Sequence, residues 1–148
     1  MSFDDLPDDW QSRPLTDSRL AADVVDLFVR DDDRRAGAVA VLLCDDEHRL
    51  LQPVVVTMDS DPVPLADKHL VVQRFTDLVG HGPGASLVLA VARPKGSFVT
   101  DSDREWHEAA IRGCREAGVE LIGLYVVTRH TIREVVDPSA GTGQRRLA

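Results

Sequence analysis

Apolar strand-like runs interleaved with amphipathic helical patterns predict an α/β layered fold with a mixed sheet of about five strands and three helices. Three stretches carry this expectation. Ala38–Cys44 (AVAVLLC) and Ser86–Ala92 (SLVLAVA) are short, apolar almost throughout and rich in β-formers, as buried strands are. Ala85–Thr128 reads as strand, loop, helix and strand, and its loop, Arg93–Ser97, delivers the chain to a helix start. Such junctions often hold the chemistry of α/β proteins, because the first helical turn presents free N–H donors.

The elements follow in chain order. Residues 1–15 are acidic, contain Pro7 and Pro14, and form an N-terminal arm whose Trp10 either folds back on the core or anchors a partner. Thr16 or Asp17 caps a first helix reaching about Arg30, with Leu20, Val24, Leu27 and Phe28 at helical spacing. Asp31–Arg35 (DDDRR) reads as a solvated turn. Ala38–Cys44 and Leu50–Thr57 form a hairpin around the polar turn Asp45–Arg49. Pro53 lacks a ladder donor, which assigns the second strand to an edge or a bulge.

A loop with Pro62 and Pro64 leads to a second helix, Ala66–Val79, with Val71, Val72, Phe75, Leu78 and Val79 on one face. Gly80–Gly84 stops it. The third strand is followed by a third helix over about Ser102–Ala117, packed through Trp106, Ala110, Gly113, Cys114 and Ala117 and closed by Gly118. Leu121–Thr128 forms a fourth strand and Thr131–Val136 a fifth. Pro138–Ala148 lacks apolar pattern and reads as a disordered tail, leaving one domain over 16–137.

Bulk properties narrow the function classes. A chain of 148 residues is long enough to bury a core, and 43% hydrophobic with 28% charged residues is ordinary for a globular domain. The net charge of −8 makes nucleic acid an unlikely ligand, since general binders carry a basic excess. Cys44 and Cys114 make no metal pattern and read as buried thiols. No apolar run approaches the ~20 residues needed to span a bilayer, and no signal core opens the chain, so no membrane and a cytoplasmic location are expected.

Pro94, Thr100-x-x-Asp103, the spacing from Asp103 through Trp106 and Ala110 to Gly118, and the closing strand Val119–Val127 together resemble the JAB/MPN family, in its RadC-like branch. That resemblance, over about Leu20–Val136, implies a JAB/MPN-like (cytidine-deaminase-like) layered fold. Metal-bearing members hold zinc with two loop histidines and the aspartate, use an upstream glutamate to activate water, and place a serine at the oxyanion. Here the histidine positions are Val91 and Arg93, the glutamate segment is Ala36–Ala38, and Gly123 and Leu124 replace a further aspartate–histidine pair. Only Asp103 remains, and zinc wants three protein ligands. The resemblance therefore implies a degenerate member, a pseudoenzyme with no catalytic residues, no metal and no cofactor.

Its vestigial site is Arg93, Thr100 and Asp103, and the expected arrangement is an Arg93–Asp103 ion pair in place of the cation. The leading expectation is a non-catalytic binding or scaffold module, pairing as a homodimer or with a protein partner. The alternatives are a hydrolase with a relocated, metal-independent site near Thr100 and Asp103, and small-anion binding by Arg93, Lys95, Gly96 and Ser97 at a helix start. Asp101, Asp103 and Glu105 oppose an anion there, and Ser102-x-x-Glu105 or Thr100-x-x-Asp103 suffices as a capping box. His48, His69, His81, His107 and His130 are scattered, and no G-x-S-x-G elbow is present.

Overall fold

The computed structural model describes residues 6–58, 64–79, 85–94, 96 and 98–136. Five strands, β1 (Ala38–Cys44), β2 (Leu50–Thr57), β3 (Ser86–Ala92), β4 (Glu120–Val127) and β5 (Ile132–Val135), form one mixed sheet in the order β2-β1-β3-β4-β5. β1 runs antiparallel to both β2 and β3, β3 and β4 are parallel, and β5 returns antiparallel to β4. Four α-helices accompany the sheet: α1 (Ser18–Phe28), α2 (Asp31–Ala36), α3 (Leu65–Val79) and α4 (Asp101–Ala117). The α/β layering and mixed five-stranded sheet are as expected, with one helix more than the sequence pattern showed.

The period-2 alternation of the strands divides the core into two layers. Ala38, Ala40, Leu42, Val88, Ala90, Tyr125 and Val127 pack with α1, whereas Val39, Val41, Leu89, Val91, Leu124 and Val126 pack with α3 and α4. Covering both faces explains why β1 and β3 are buried along their whole length and apolar without alternation. Pro53 lies on β2, the edge strand, paired to Leu42 on one side only, so its missing N–H breaks no second ladder. Trp10 folds back: its ring meets Phe28 edge-on at 6.2 Å between centroids, and Leu15 is buried in the α1 layer.

Local capping agrees with the sequence. Asp17 caps α1, accepting from the N–H groups of Arg19 and Leu20 at 3.0 and 3.3 Å. Gly118 closes α4 at φ 71°, the left-handed conformation that glycine adopts without Cβ strain.

Three expectations are corrected. Asp31–Arg35 is helix α2 rather than a solvated turn: three aspartates in its first turn and two arginines in its last complement the helix dipole, and Arg34 is buried. Leu78 is 60% exposed instead of sharing the packed face of α3, whose buried positions are Lys68, Val72, Phe75 and Thr76. The capping box of α4 is Thr100 with Asp103, not Ser102 with Glu105. The loop with Pro62, the stop at Gly80–Gly84 and the tail from Pro138 lie outside the described residues.

Helices α3 and α4 approach through Gly113. A Cβ there would stand 2.5 Å from Cγ1 of Val72, and Val72 cannot swing clear because its Cβ lies 3.4 Å away and β-branched side chains are stiff at χ1. Alanine would gain up to ~1 kcal/mol of helix propensity, but overpacking costs about 1–3 kcal/mol. Gly113→Ala is therefore expected to lower unfolding stability in urea by about 1 kcal/mol, and Val72→Ala in the same chain to return part of that loss.

Candidate functional site at the start of α4

The β3 strand delivers Val91 and Arg93, two residues apart and hence on one face, to the side of the sheet covered by α4. Val91 is packed there with Trp106 of α4. Arg93 lies just past the strand and turns toward Asp103 in the first turn of α4. Its Nη2 donates to Asp103 Oδ2 at 2.8 Å and its Nε to Oδ1 at 3.3 Å, a two-pronged pair. The expected Arg93–Asp103 ion pair is thus present. Asp103 is 1% exposed, and its Oδ2 also accepts the N–H of Thr100 at 2.9 Å, while the Thr100 hydroxyl accepts the N–H of Asp103 at 3.2 Å.

The same guanidinium organises the preceding loop. Nη2 donates to the carbonyl of Phe98 at 2.6 Å and Nη1 to that of Gly96 at 3.3 Å. Gly96 adopts φ 90°, and a Cβ there would press on Arg93 Nη1 at 3.0 Å, so this turn requires glycine. Of the four residues expected to hold an anion, Arg93 and Gly96 are engaged in closing the loop. Lys95 and Ser97 lie outside the described residues.

One residue escaped the sequence reading. Lys68 of α3 is 0% exposed; its Nζ donates to Glu105 Oε1 at 2.6 Å and Ser102 Oγ at 3.0 Å, and sits 5.8 Å from the ring centroid of Trp106. The signal was its place four residues before Val72 on the packed stripe, masked because lysine does not read as core. This explains why Ser102 and Glu105 do not cap α4: both are turned to an ammonium. A lysine beside a serine hydroxyl has the outline of a nucleophile with its base, but here the amine is engaged by the Glu105 carboxylate at 2.6 Å as well as by the hydroxyl.

A cleft of about 350 Å³ opens here, lined by Gly37, Val39, Met58, Val91, Arg93, Thr100, Ser102 and Asp103. Arg93, Thr100 and Asp103 are committed to one another and Ser102 to Lys68. Zinc does not fit: Val91 offers no lone pair, Arg93 occupies both oxygens of Asp103, and among the described residues no three His, Cys, Asp or Glu side chains converge as ligands. The thiols are remote and inert, Cys44 pushed up to about 12 and Cys114 to about 11, chiefly by burial. Among the described residues no helix is long and apolar enough to cross a membrane. Comparison of the chain with family models, curated proteins and solved structures gives no match.

Removing one partner of a buried pair costs about 3–5 kcal/mol, and Arg93, 20% exposed, admits some water, so Arg93→Met is expected to destabilise the fold by roughly 2–4 kcal/mol. Asp103→Asn keeps a cap acceptor and leaves the half-wet cation, so it should cost less. Urea unfolding of the two variants measures the difference, and equal losses would contradict the asymmetry.

Proposed function

We propose that this chain is a non-catalytic, JAB/MPN-like binding or scaffold module whose metalloprotease-type centre has been replaced by an ion pair. The observation that carries the reading is the two-pronged Arg93–Asp103 pair, with Thr100 closing the cap on the same carboxylate. The order helix, hairpin, helix, strand, loop and helix supports it, as does the common face of Val91 and Arg93 opposite Asp103. In such a module the cleft keeps its shape while its one acidic ligand is neutralised internally.

A hydrolase relocated to Thr100 and Asp103 has less support. The threonine hydroxyl accepts a backbone N–H, and the aspartate is engaged by Arg93 and by the Thr100 N–H. Anion binding at the Arg93 loop is disfavoured because each nitrogen of that guanidinium already donates within the protein. Partner binding as a homodimer or with another protein has room at β2, an open sheet edge carrying Leu51 at 68% exposure, and on α3, where Leu70 and Leu78 are exposed.

Elemental analysis of untagged protein, joined to thermal unfolding with and without zinc, tests the reading. The natural chain is expected to carry far less than one zinc per molecule and to show a flat Tm. The double variant Val91→His, Arg93→His restores two imidazoles beside Asp103 and should gain zinc and a zinc-dependent rise in Tm of several degrees, roughly as ligand linkage allows. Stoichiometric zinc in the natural chain would overturn the proposal.

A further inference from the structure

We propose that the cleft between α2 and the β4–β5 turn binds a small organic oxyanion, a carboxylate or phosphate headgroup carried on a compact apolar body. The cleft, about 400 Å³, is lined by Arg34, Arg35, Asp31, Pro94 and Arg129. Three guanidiniums and one carboxylate line it, with Asp26 paired to Arg34 and Asp32 to Arg35 beside it. The headgroup site is separate from the Arg93–Asp103 pair, which lines the adjoining cleft, and the inference does not depend on the JAB/MPN-like reading.

Its position follows from the sheet. Pro94 and Arg129 stand two residues beyond the ends of β3 and β4, which run parallel. The cleft therefore lies at the carboxyl ends of adjacent parallel strands, where diverging loops leave a crevice in open α/β sheets. The crevice is built on rigid parts. Arg34 is 7% exposed, held by Asp26 Oδ1 at 2.7 Å and by the carbonyl of Thr128 at 3.3 Å. Those two bonds tie α2 to α1 and to the turn that carries Arg129.

The state of the three cations points to a ligand. The buried Nε of Arg34 has no hydrogen-bond partner among the described residues, an uncompensated donor on a charged group. Arg129 is exposed and makes no ion pair among the described residues. Arg35 meets Asp32 at 3.2 Å with both side chains mostly in water, a contact weak enough to yield to a better acceptor. Guanidinium forks match the planar or tetrahedral oxygens of carboxylate and phosphate.

The apolar body is assigned from the adjoining cleft, which shares Arg35 and Pro94 with this one and continues past Ala36, Val39, Met58 and Trp106. An anion held by the arginines would have its other end directed over that surface. Asp31 on the rim opposes the headgroup and sets a measurable penalty.

Titration calorimetry on the full chain with inorganic phosphate, phenyl phosphate, benzoate and uncharged benzamide tests the assignment. Phenyl phosphate or benzoate is expected to bind saturably, more tightly than inorganic phosphate, and benzamide not to bind. Arg35→Ala and Arg129→Ala, both at exposed positions, should leave the ligand-free Tm unchanged and weaken binding by about tenfold each, as loss of a charge-assisted pair does. Asp31→Asn should tighten it. No saturable binding by any of the three anions, or affinities unmoved in both arginine variants, would overturn the proposal. Inorganic phosphate binding as tightly as phenyl phosphate would remove the apolar body from it.

Discussion

A single buried carboxylate fixes how β3 is joined to α4. Asp103 sits 1% exposed in the first turn of α4, where an unpaired negative charge would be costly. Arg93 answers that charge with two nitrogens, and the rest of the loop is arranged by the same group through the carbonyls of Gly96 and Phe98. The pair joins the end of β3 to the start of α4. It thereby sets where Trp106, one turn further along, enters the layer beneath the helix.

A second buried cation repeats the logic on the neighbouring helix. Lys68 crosses from α3 to Ser102 and Glu105 near the start of α4, so the helix is held there from two directions. Its middle is held by close packing at Gly113 against Val72. Charge pairing at the helix start and contact packing along its length are separate constraints. The first restricts how the helix enters, and the second restricts how near it lies.

This economy of charge has a chemical consequence. Thr100, Ser102, Asp103 and Glu105 all belong to residue types that do catalytic work, yet each is spent on a cap, an ion pair or a hydrogen bond from Lys68. The cations around α2 differ, since one guanidinium nitrogen is buried without an acceptor and a neighbouring arginine has no carboxylate partner among the described residues. A cleft whose charges are paired internally thus lies beside one lined by three arginines.

The sequence by itself determined the layered α/β architecture, the strands β1 and β3, a first-helix cap at Thr16 or Asp17, and the cap at Gly118. Each of these is written in a local code, continuous apolar runs or residues with a conformational or capping preference, whereas the Arg93–Asp103 pair was an expectation drawn from the resemblance. The α2 helix and the buried roles of Lys68 and Arg34 were not legible, because charged residues read as solvated until their partners are known. Those partners, Glu105 for Lys68 and Asp26 with the Thr128 carbonyl for Arg34, are distant in sequence or on another element. Only the tertiary structure decided them, since burial of a charge depends on what the fold brings within hydrogen-bond reach and not on the residue that carries it.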